Sequence, residues 1–338
     1  MKNLKLGLAQ GYWSAAPKPN FVELAQEAER LGFDSVWSAE AWGNDAFTPL
    51  AWIGAQTEKI KLGTAVVQLS GRTPASCAMH ALTLDYLSNG RMLLGLGVSG
   101  PQVVEGWYGR PFPKPLARTR EYIDIIRQVL ARQGPVTNDG PHYPLPYKGE
   151  DGTGLGKPLK PIVHPLRDNI PIYMGAEGPK NIALAAEIAD GWLPLFYNPY
   201  DESVYAESLV NAPPDFDIAQ MVTVNITDDI DSALLQVKYF LSFYVGGMGA
   251  KSTNFHKNLF IRMGYEAEAE KIQQLFMEDK RDEAAQVIPD ELADSLALVG
   301  PKDRIKDRLD AWRESRVTTL LVTANEKSDL QAMAELLL

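Results

Sequence analysis

The chain holds a single cysteine, Cys77, which excludes an intramolecular disulfide and any cysteine-rich metal site. Histidine is scarce too. His80, His142, His164 and His256 are the whole set, no two of them have metal-ligand spacing, and no metal is expected. No apolar run approaches about 20 residues, so no membrane-spanning segment is expected. Positive charge is in deficit: 33 Lys and Arg stand against 43 Asp and Glu, a net charge of −10 with a pI near 5.0. That balance argues against nucleic acid or an anionic membrane as a partner, but not against an anionic cofactor in a locally basic pocket. An apolar leader is also missing. Met1-Lys2-Asn3 runs straight into an alternating strand, so no signal peptide is expected and the anticipated location is the cytoplasm. Low-complexity segments are absent.

What is present suits a globular protein with a sizeable core: 45% of residues are hydrophobic and 22% charged. The length allows two domains or one large α/β barrel. The stretch Ile172–Leu195 organises the rest. Ile-Tyr-Met reads as a strand, Gly175-Ala176-Glu177-Gly178 as a tight loop, and Pro179 as the first residue of a helix. Ile182, Ala185, Ala186 and Ala189 then form a helical stripe, and Asp190-Gly191 starts the next strand. A glycine loop at a helix N-terminus presents free amides, an inexpensive anion site.

The same alternation runs through the chain. Strands are expected at Leu4–Leu8, Ser35–Ser38, Lys61–Val67, Arg91–Gly97, Ile170–Met174, Gly191–Leu195, Met221–Ile226 and Thr319–Val322. Helices begin at Thr48-Pro49 and Thr73-Pro74, each an N-cap followed by proline, and the first of these is expected to reach Glu58. A Pro- and Gly-rich excursion fills about 134–169, and an inserted helical region about 228–294. Eight βα units in one domain, residues 1–338, point to an α/β fold: a (β/α)8 TIM-like barrel with insertions after strand 4 and strand 7. A doubly wound sheet is the alternative. In a barrel the functional groups sit on loops after strands, and those loops carry Tyr12, Trp13, Trp42, Trp107, Phe196 and Tyr197 beside glycines. Aromatic and glycine-rich walls suit a flat ring with a phosphate tail, or lids that merely cover a barrel mouth.

Gly71-Arg72-Thr73-Pro74-Ala75, Leu84-Asp85-Tyr86-Leu87-Ser88-Asn89-Gly90-Arg91 and Gly95-Leu96-Gly97 together resemble the luciferase-like monooxygenase family. Ser38-Ala39-Glu40 and the Gly175–Leu195 unit add to the likeness, which covers nearly the whole chain. Gly106-Trp107-Tyr108-Gly109, Lys114-Pro115-Leu116 and Gly156-Lys157-Pro158-Leu159-Lys160 look most like the family members that use the deazaflavin coenzyme F420. The resemblance implies a TIM-like barrel, a cis peptide at Ala65–Val66 behind the cofactor ring, and a phosphate held by Gly175, Ala176, Glu177 and Gly178. It further implies a tail channel at Val98, Ser99 and Gly100, with Lys157 and Lys160 near the tail carboxylates. Glu40 aligns with an acidic residue at the ring pocket, and Glu40, Tyr12 or a bound water is the expected proton source. Trp13, Trp42, Trp107, Phe196 and Tyr197 are expected to line the substrate pocket.

One departure bears on the chemistry. Several deazaflavin-dependent dehydrogenases of the family carry a proton-accepting histidine after the acidic residue, where this chain has Ala41. The basic cluster of the sugar-phosphate dehydrogenases is missing at Leu195-Phe196-Tyr197-Asn198, so an apolar substrate is expected. The implied activity is hydride transfer between F420 and a carbonyl, alcohol or activated alkene, in a homodimer. The alternatives are a two-component monooxygenase using reduced FMN, and a flavin-binding relative without catalysis.

Overall fold

The computed structural model describes residues 3–250 and 253–338. Met1 and Lys2, ahead of the expected first strand, lie outside the described residues, as do Lys251 and Ser252 of the expected helical insertion. The chain opens with β1 (Lys5–Gly11), α1 (Phe21–Leu31), β2 (Ser35–Ser38), α2 (Phe47–Gly54), β3 (Lys61–Thr64), β4 (Val67–Gln68) and α3 (Pro74–Leu87). It continues through β5 (Met92–Gly97), α4 (Pro101–Gly106) and α5 (Pro115–Ala131) into an irregular stretch. Then come β6 (Ile172–Gly175), α6 (Pro179–Ile188), β7 (Gly191–Leu193), α7 (Ser203–Ala206) and β8 (Asp217–Ile226). The insertion holds α8 (Ile230–Ser242), a π turn (Phe243–Gly247), α9 (Phe255–Arg262), α10 (Glu266–Met277), α11 (Arg281–Gln286) and α12 (Asp290–Ser295). β9 (Ala297–Gly300), α13 (Lys302–Glu314), β10 (Thr319–Thr323) and α14 (Lys327–Leu337) complete it.

Every strand pair is parallel, and the order β10-β1-β2-β3-β5-β6-β7-β8 closes because β10 also pairs with β8. Thr319 lies opposite Lys5 on one side and Ala219 on the other. β3 and β4 occupy one barrel position, interrupted at Ala65–Val66, whose peptide is cis. The result is the expected closed (β/α)8 barrel, with insertions after its fourth strand, β5, and its seventh, β8. No helix among the described residues is long and apolar enough to cross a membrane.

The structure adds the short helices α4 and α7 and starts β8 at Asp217, ahead of the expected Met221; two further elements differ for local reasons. α2 starts at Phe47 and stops at Gly54, because Asp45 Oδ1, not Thr48, accepts the Phe47 and Thr48 amides at 2.9 and 2.8 Å. β9 went unread because its four residues, Ala-Leu-Val-Gly, follow a run of helices and carry no periodicity. It extends the outer half of β8, from Thr223↔Ala297 to Ile226↔Gly300, and takes no part in closure.

Side chains on the inner face of the barrel make their own packed layer: Ala9, Trp37, Leu93, Tyr173, Leu193, Ala219 and Leu321. Trp37 meets the Tyr173 ring edge-on at 5.2 Å, and a Cβ on Gly63 would stand 2.3 Å from the Trp37 indole. The barrel is thus filled, and what lies above this layer has a solid apolar floor. The excursion after α5 is tied down on the outside. Glu121 Oε2 accepts the His142 and Tyr143 amides at 3.0 and 3.1 Å, and Arg167 bonds Asp85 at 2.7 Å.

Candidate active site

At the C-terminal ends of the strands lies a cavity of about 1130 Å³. Ala9, Trp37, Ala65, Val66, Leu193, Ala219 and Leu321 form its bottom, so the inner barrel layer is also the floor of the site. Val66 rises from that floor between two strand ends that lack side chains. A Cβ on Gly97 would lie 2.5 Å from Val66 Cγ2, and one on Gly175 would lie 3.2 Å from Val66 Cγ1. The glycines leave room for the branched side chain and keep a flat surface around it.

From this floor the cavity runs to the loop Gly175-Ala176-Glu177-Gly178, all four of which line it. Gly178 is the N-cap of α6 and Pro179 its first residue. The first-turn amides of a helix have no intrahelical partner and carry the positive end of its dipole. Val98, Ser99 and Gly100 face the same space from the end of β5, with Ser99 in the left-handed region at φ 58°. Three polar atoms around the loop are buried without a partner among the described residues: Glu177 Oε2, Asn181 Oδ1 and Arg262 Nε. Two acceptors and a donor left open in one place fit a hydroxylated, phosphate-bearing chain, since buried polar atoms are otherwise satisfied.

Glu40 sits at the cavity edge, but its carboxylate is fully engaged. Arg72 Nη1 donates to both oxygens, at 2.9 and 2.7 Å, and the Gln68 and Ala46 amides donate at 3.2 and 3.3 Å. Four hydrogen bonds from three donors leave no lone pair aimed at a substrate; this acid ties β4 and the start of α3 to the end of β2. Burial, with the Glu40 charge next, raises the neighbouring Tyr108 hydroxyl. Tyr12 lines the cavity with its hydroxyl 3.4 Å from that of Tyr244.

The aromatic expectations divide. Trp42 lines the cavity. Trp13 does not: its ring packs edge-on against Phe21, and its amide donates to Asn44. Trp107 closes the C-terminus of α4 with 62% of its surface exposed, away from the lining. Phe196 and Tyr197 are buried behind the wall, Phe196 against Tyr244 and Phe260, Tyr197 stacked on Tyr205 at 4.9 Å. Lys157 and Lys160 also stand off the cavity. α5 starts at the mouth, where Pro115 and Leu116 line the cavity, and a backbone bond from the Val136 amide to the Leu159 carbonyl at 2.9 Å ties this stretch beyond the helix's other end. Lys160 reaches only the Gln133 carbonyl, at 3.5 Å. The lysines that do face the cavity are Lys180, on the first turn of α6, and Lys18, on the loop after β1.

The far wall comes from the insertion and escaped the sequence reading altogether. Phe240 on α8, Tyr244 on the π turn, and Phe255 and His256 on α9 all line the cavity. A π turn widens one helical turn and often marks a functional wall. Cβ atoms on Gly246 and Gly247 would fall 2.5 and 2.6 Å from Phe276, so these glycines let α10 seat tightly behind it. Asn254 then fixes α9: its side chain donates to the Tyr244 and Val245 carbonyls at 3.2 and 2.8 Å and accepts the Lys257 amide at 2.9 Å. The i, i+4 spacing of Phe240 and Tyr244 was visible in the sequence, but nothing in it said which wall they face.

Chemically, the site offers a flat apolar bed, an anion-binding loop at one end and an aromatic wall from the insertion that meets that loop where His256 bonds Glu177. Among the described residues no group of His, Cys, Asp and Glu could hold a metal ion. Comparison with known proteins places the chain in a family. The luciferase-like monooxygenase family profile matches residues 6–319. A Mycobacterium tuberculosis protein provisionally named a coenzyme F420-dependent oxidoreductase is 56% identical over 342 residues, covering 98% of this chain and 99% of its own. A 5,10-methylenetetrahydromethanopterin reductase of Archaeoglobus fulgidus is 28% identical over 309 residues, 89% of this chain and 87% of its own. The structure of a coenzyme F420-dependent tetrahydromethanopterin reductase from Methanopyrus kandleri superposes with a TM-score of 0.78 at 23% identity, over 98% of both chains. At that identity the superposition speaks for the fold alone.

Proposed function

We propose a function from one premise, that this chain belongs to the luciferase-like monooxygenase family. Within that enzyme family it is an F420-dependent oxidoreductase moving a hydride between the cofactor and an apolar carbonyl, alcohol or activated alkene. The observation that carries this reading is the continuity of one cavity from the Val66 bed to the α6 amides. A flat ring with a phosphate chain needs both ends in one cavity, and the name of the 56% identical relative supports the deazaflavin.

The bound coenzyme would supply a carbon-centred hydride donor or acceptor; the protein's share is to place, orient and dry it. Ala65 and Val66 would support the ring from below, with Gly97 and Gly175 leaving its approach open. Gly178 and Lys180 would offer amides to the phosphate, and Glu177 Oε2 and Asn181 Oδ1 would accept hydroxyls of the linking chain. The carboxylates of the tail would meet Lys180 and then Arg120, which lines an adjoining groove that shares Leu116 and Lys180 with the main cavity. That placement replaces Lys157 and Lys160. The walls above the bed are mainly aromatic and aliphatic, which suits a substrate without a phosphate.

The test is a fluorescence titration of the purified protein with F420 and with FMN, followed by turnover of reduced F420 against a panel of ketones, secondary alcohols and enones. F420 is expected to bind at least tenfold tighter, about 1.4 kcal/mol, and at least one panel member to be converted. Preference for FMN with oxygen uptake would replace this reading by a two-component monooxygenase. Tight F420 binding without turnover would leave a binding protein.

A further inference from the structure

We propose that His256 is the proton-transfer residue of this site and that Glu177 is its positioning partner; the inference rests on the hydride-transfer reading above. Moving a hydride to or from a carbon that bears oxygen requires a proton to move as well. The loop after β2 offers Ala41 and no free acid, since Glu40 is spent on Arg72 and two amides. Lys18 donates to the Ala324 carbonyl and Asn325. Tyr12 and Tyr244 share one hydrogen bond, and burial drives the Tyr244 hydroxyl far above its ordinary range. Lys180 is exposed on α6.

His256 is different. Its Nδ1 lies 2.7 Å from Glu177 Oε1, and a carboxylate can only accept, so Nδ1 carries the hydrogen. The remaining ring nitrogen, Nε2, has no partner among the described residues, and the side chain lines the cavity. This is the arrangement in which an acid fixes the tautomer of an imidazole and leaves its other nitrogen as a base. Both members are held. Asn254 caps α9 two residues before His256, Arg262 Nη2 donates to the Glu177 carbonyl at 2.6 Å, and the Phe196 and Tyr244 rings meet the imidazole edge-on at 6.0 and 4.9 Å. The charged or titratable groups facing the ring are Glu177 from the loop after β6 and Tyr244 from the π turn, with Tyr12 beyond it and Arg262 on its own helix. The dyad also joins the insertion to the loop expected to hold the phosphate.

In the oxidation direction the substrate O–H bond breaks and its proton passes to His256 Nε2. The adjacent C–H bond breaks with its electron pair, which leaves as hydride to the oxidised deazaflavin. The oxygen's electron pair forms the second C–O bond, so the substrate loses two electrons and the cofactor gains them. The imidazolium then releases its proton to water at the mouth. Reduction of a ketone runs the same steps backwards.

The experiment compares the wild type with His256→Gln and Glu177→Gln. Imidazole ¹⁵N NMR of the cofactor-free protein, assigned by the signal lost in H256Q, is expected to show a protonated Nδ1 and a bare Nε2, with a tautomer mixture in E177Q. H256Q is expected to bind F420 within about twofold of wild type. Its kcat is expected to fall about 10²-fold or more, and the pH limb that the wild type shows in kcat/KM should disappear. E177Q should keep that limb at a displaced pH. A protonated Nε2 in the wild type, or an H256Q profile identical to wild type, overturns this inference alone. Failure of the wild type to bind F420 or to convert any panel member overturns it together with the reading it rests on.

Discussion

At Cys77 a titratable side chain stands where water does not reach it. Burial pushes its thiol from an ordinary 9 up to about 12, although a Tyr122 hydrogen bond and the Arg72 charge pull the other way. Only the thiolate reacts or binds metal, so the cysteine is inert packing on α3. The sign of its effect on stability follows. The folded chain holds a neutral thiol up to about pH 12, whereas the unfolded chain ionises it above pH 9. Its contribution is therefore complete below pH 9 and is lost as pH rises towards 12, at up to about 1.4 kcal/mol per pH unit. Cys77→Ala removes that loss and adds a cavity cost that does not depend on pH. Urea unfolding at pH 7 and at pH 10 should find the wild type ahead by less at the higher pH. A gap that stays constant would mean the thiol is reached by water.

Among the elements, the start of α6 separates binding from folding most cleanly. Gly178 has φ −73° and ψ 142°, which any residue adopts, and a Cβ there would meet nothing within 4 Å. Gly178→Val should therefore fold with an unfolding midpoint close to wild type. Its branched side chain would project into the space a phosphate must enter, and F420 affinity should drop about tenfold or more, the loss of one or two amide contacts to an anion. A variant that binds F420 as tightly as wild type would reduce the loop to a connection between β6 and α6. This loop was legible in the sequence because glycine, proline and a helical stripe act through local backbone rules. So were the eight barrel strands and the Thr73 cap. Trp13, Phe196, Tyr197 and Trp107 were not, because an aromatic residue on a loop can point at the cavity, behind its wall or into water. The wall built from Phe240, Tyr244 and His256 was illegible for a related reason. Which face an inserted helix turns to the barrel is decided by the packing of Gly246 and Gly247 on Phe276, a contact far apart in sequence.

Over the whole molecule the charge argument becomes one of range. The chain carries a net charge of −10, and the proposed coenzyme is itself anionic. The cavity offers Lys180 and Lys18 on its rim, while Arg120 in the adjoining groove is paired with Glu187 at 2.6 Å. Local attraction thus rests on two exposed cations, Lys180 and the Lys18 that already bonds Ala324 and Asn325, and each exposed charge is worth no more than about 1 kcal/mol. At an ionic strength of about 0.01 M the Debye length is near 30 Å, wide enough for an approaching anion to feel the whole negative surface; at about 0.15 M it is near 8 Å, and chiefly the rim is felt. Stopped-flow association of F420 should accordingly speed up, about twofold or more, as salt rises between those limits. A tail-less, uncharged deazaflavin should show no such change, which ties the effect to charge and not to the fold. Lys180→Glu should slow F420 association at 0.15 M and leave the tail-less compound unaffected. Faster association at low salt would sink the argument, since it would reveal a positive field over the mouth that the distribution of lysines and arginines around this cavity does not account for.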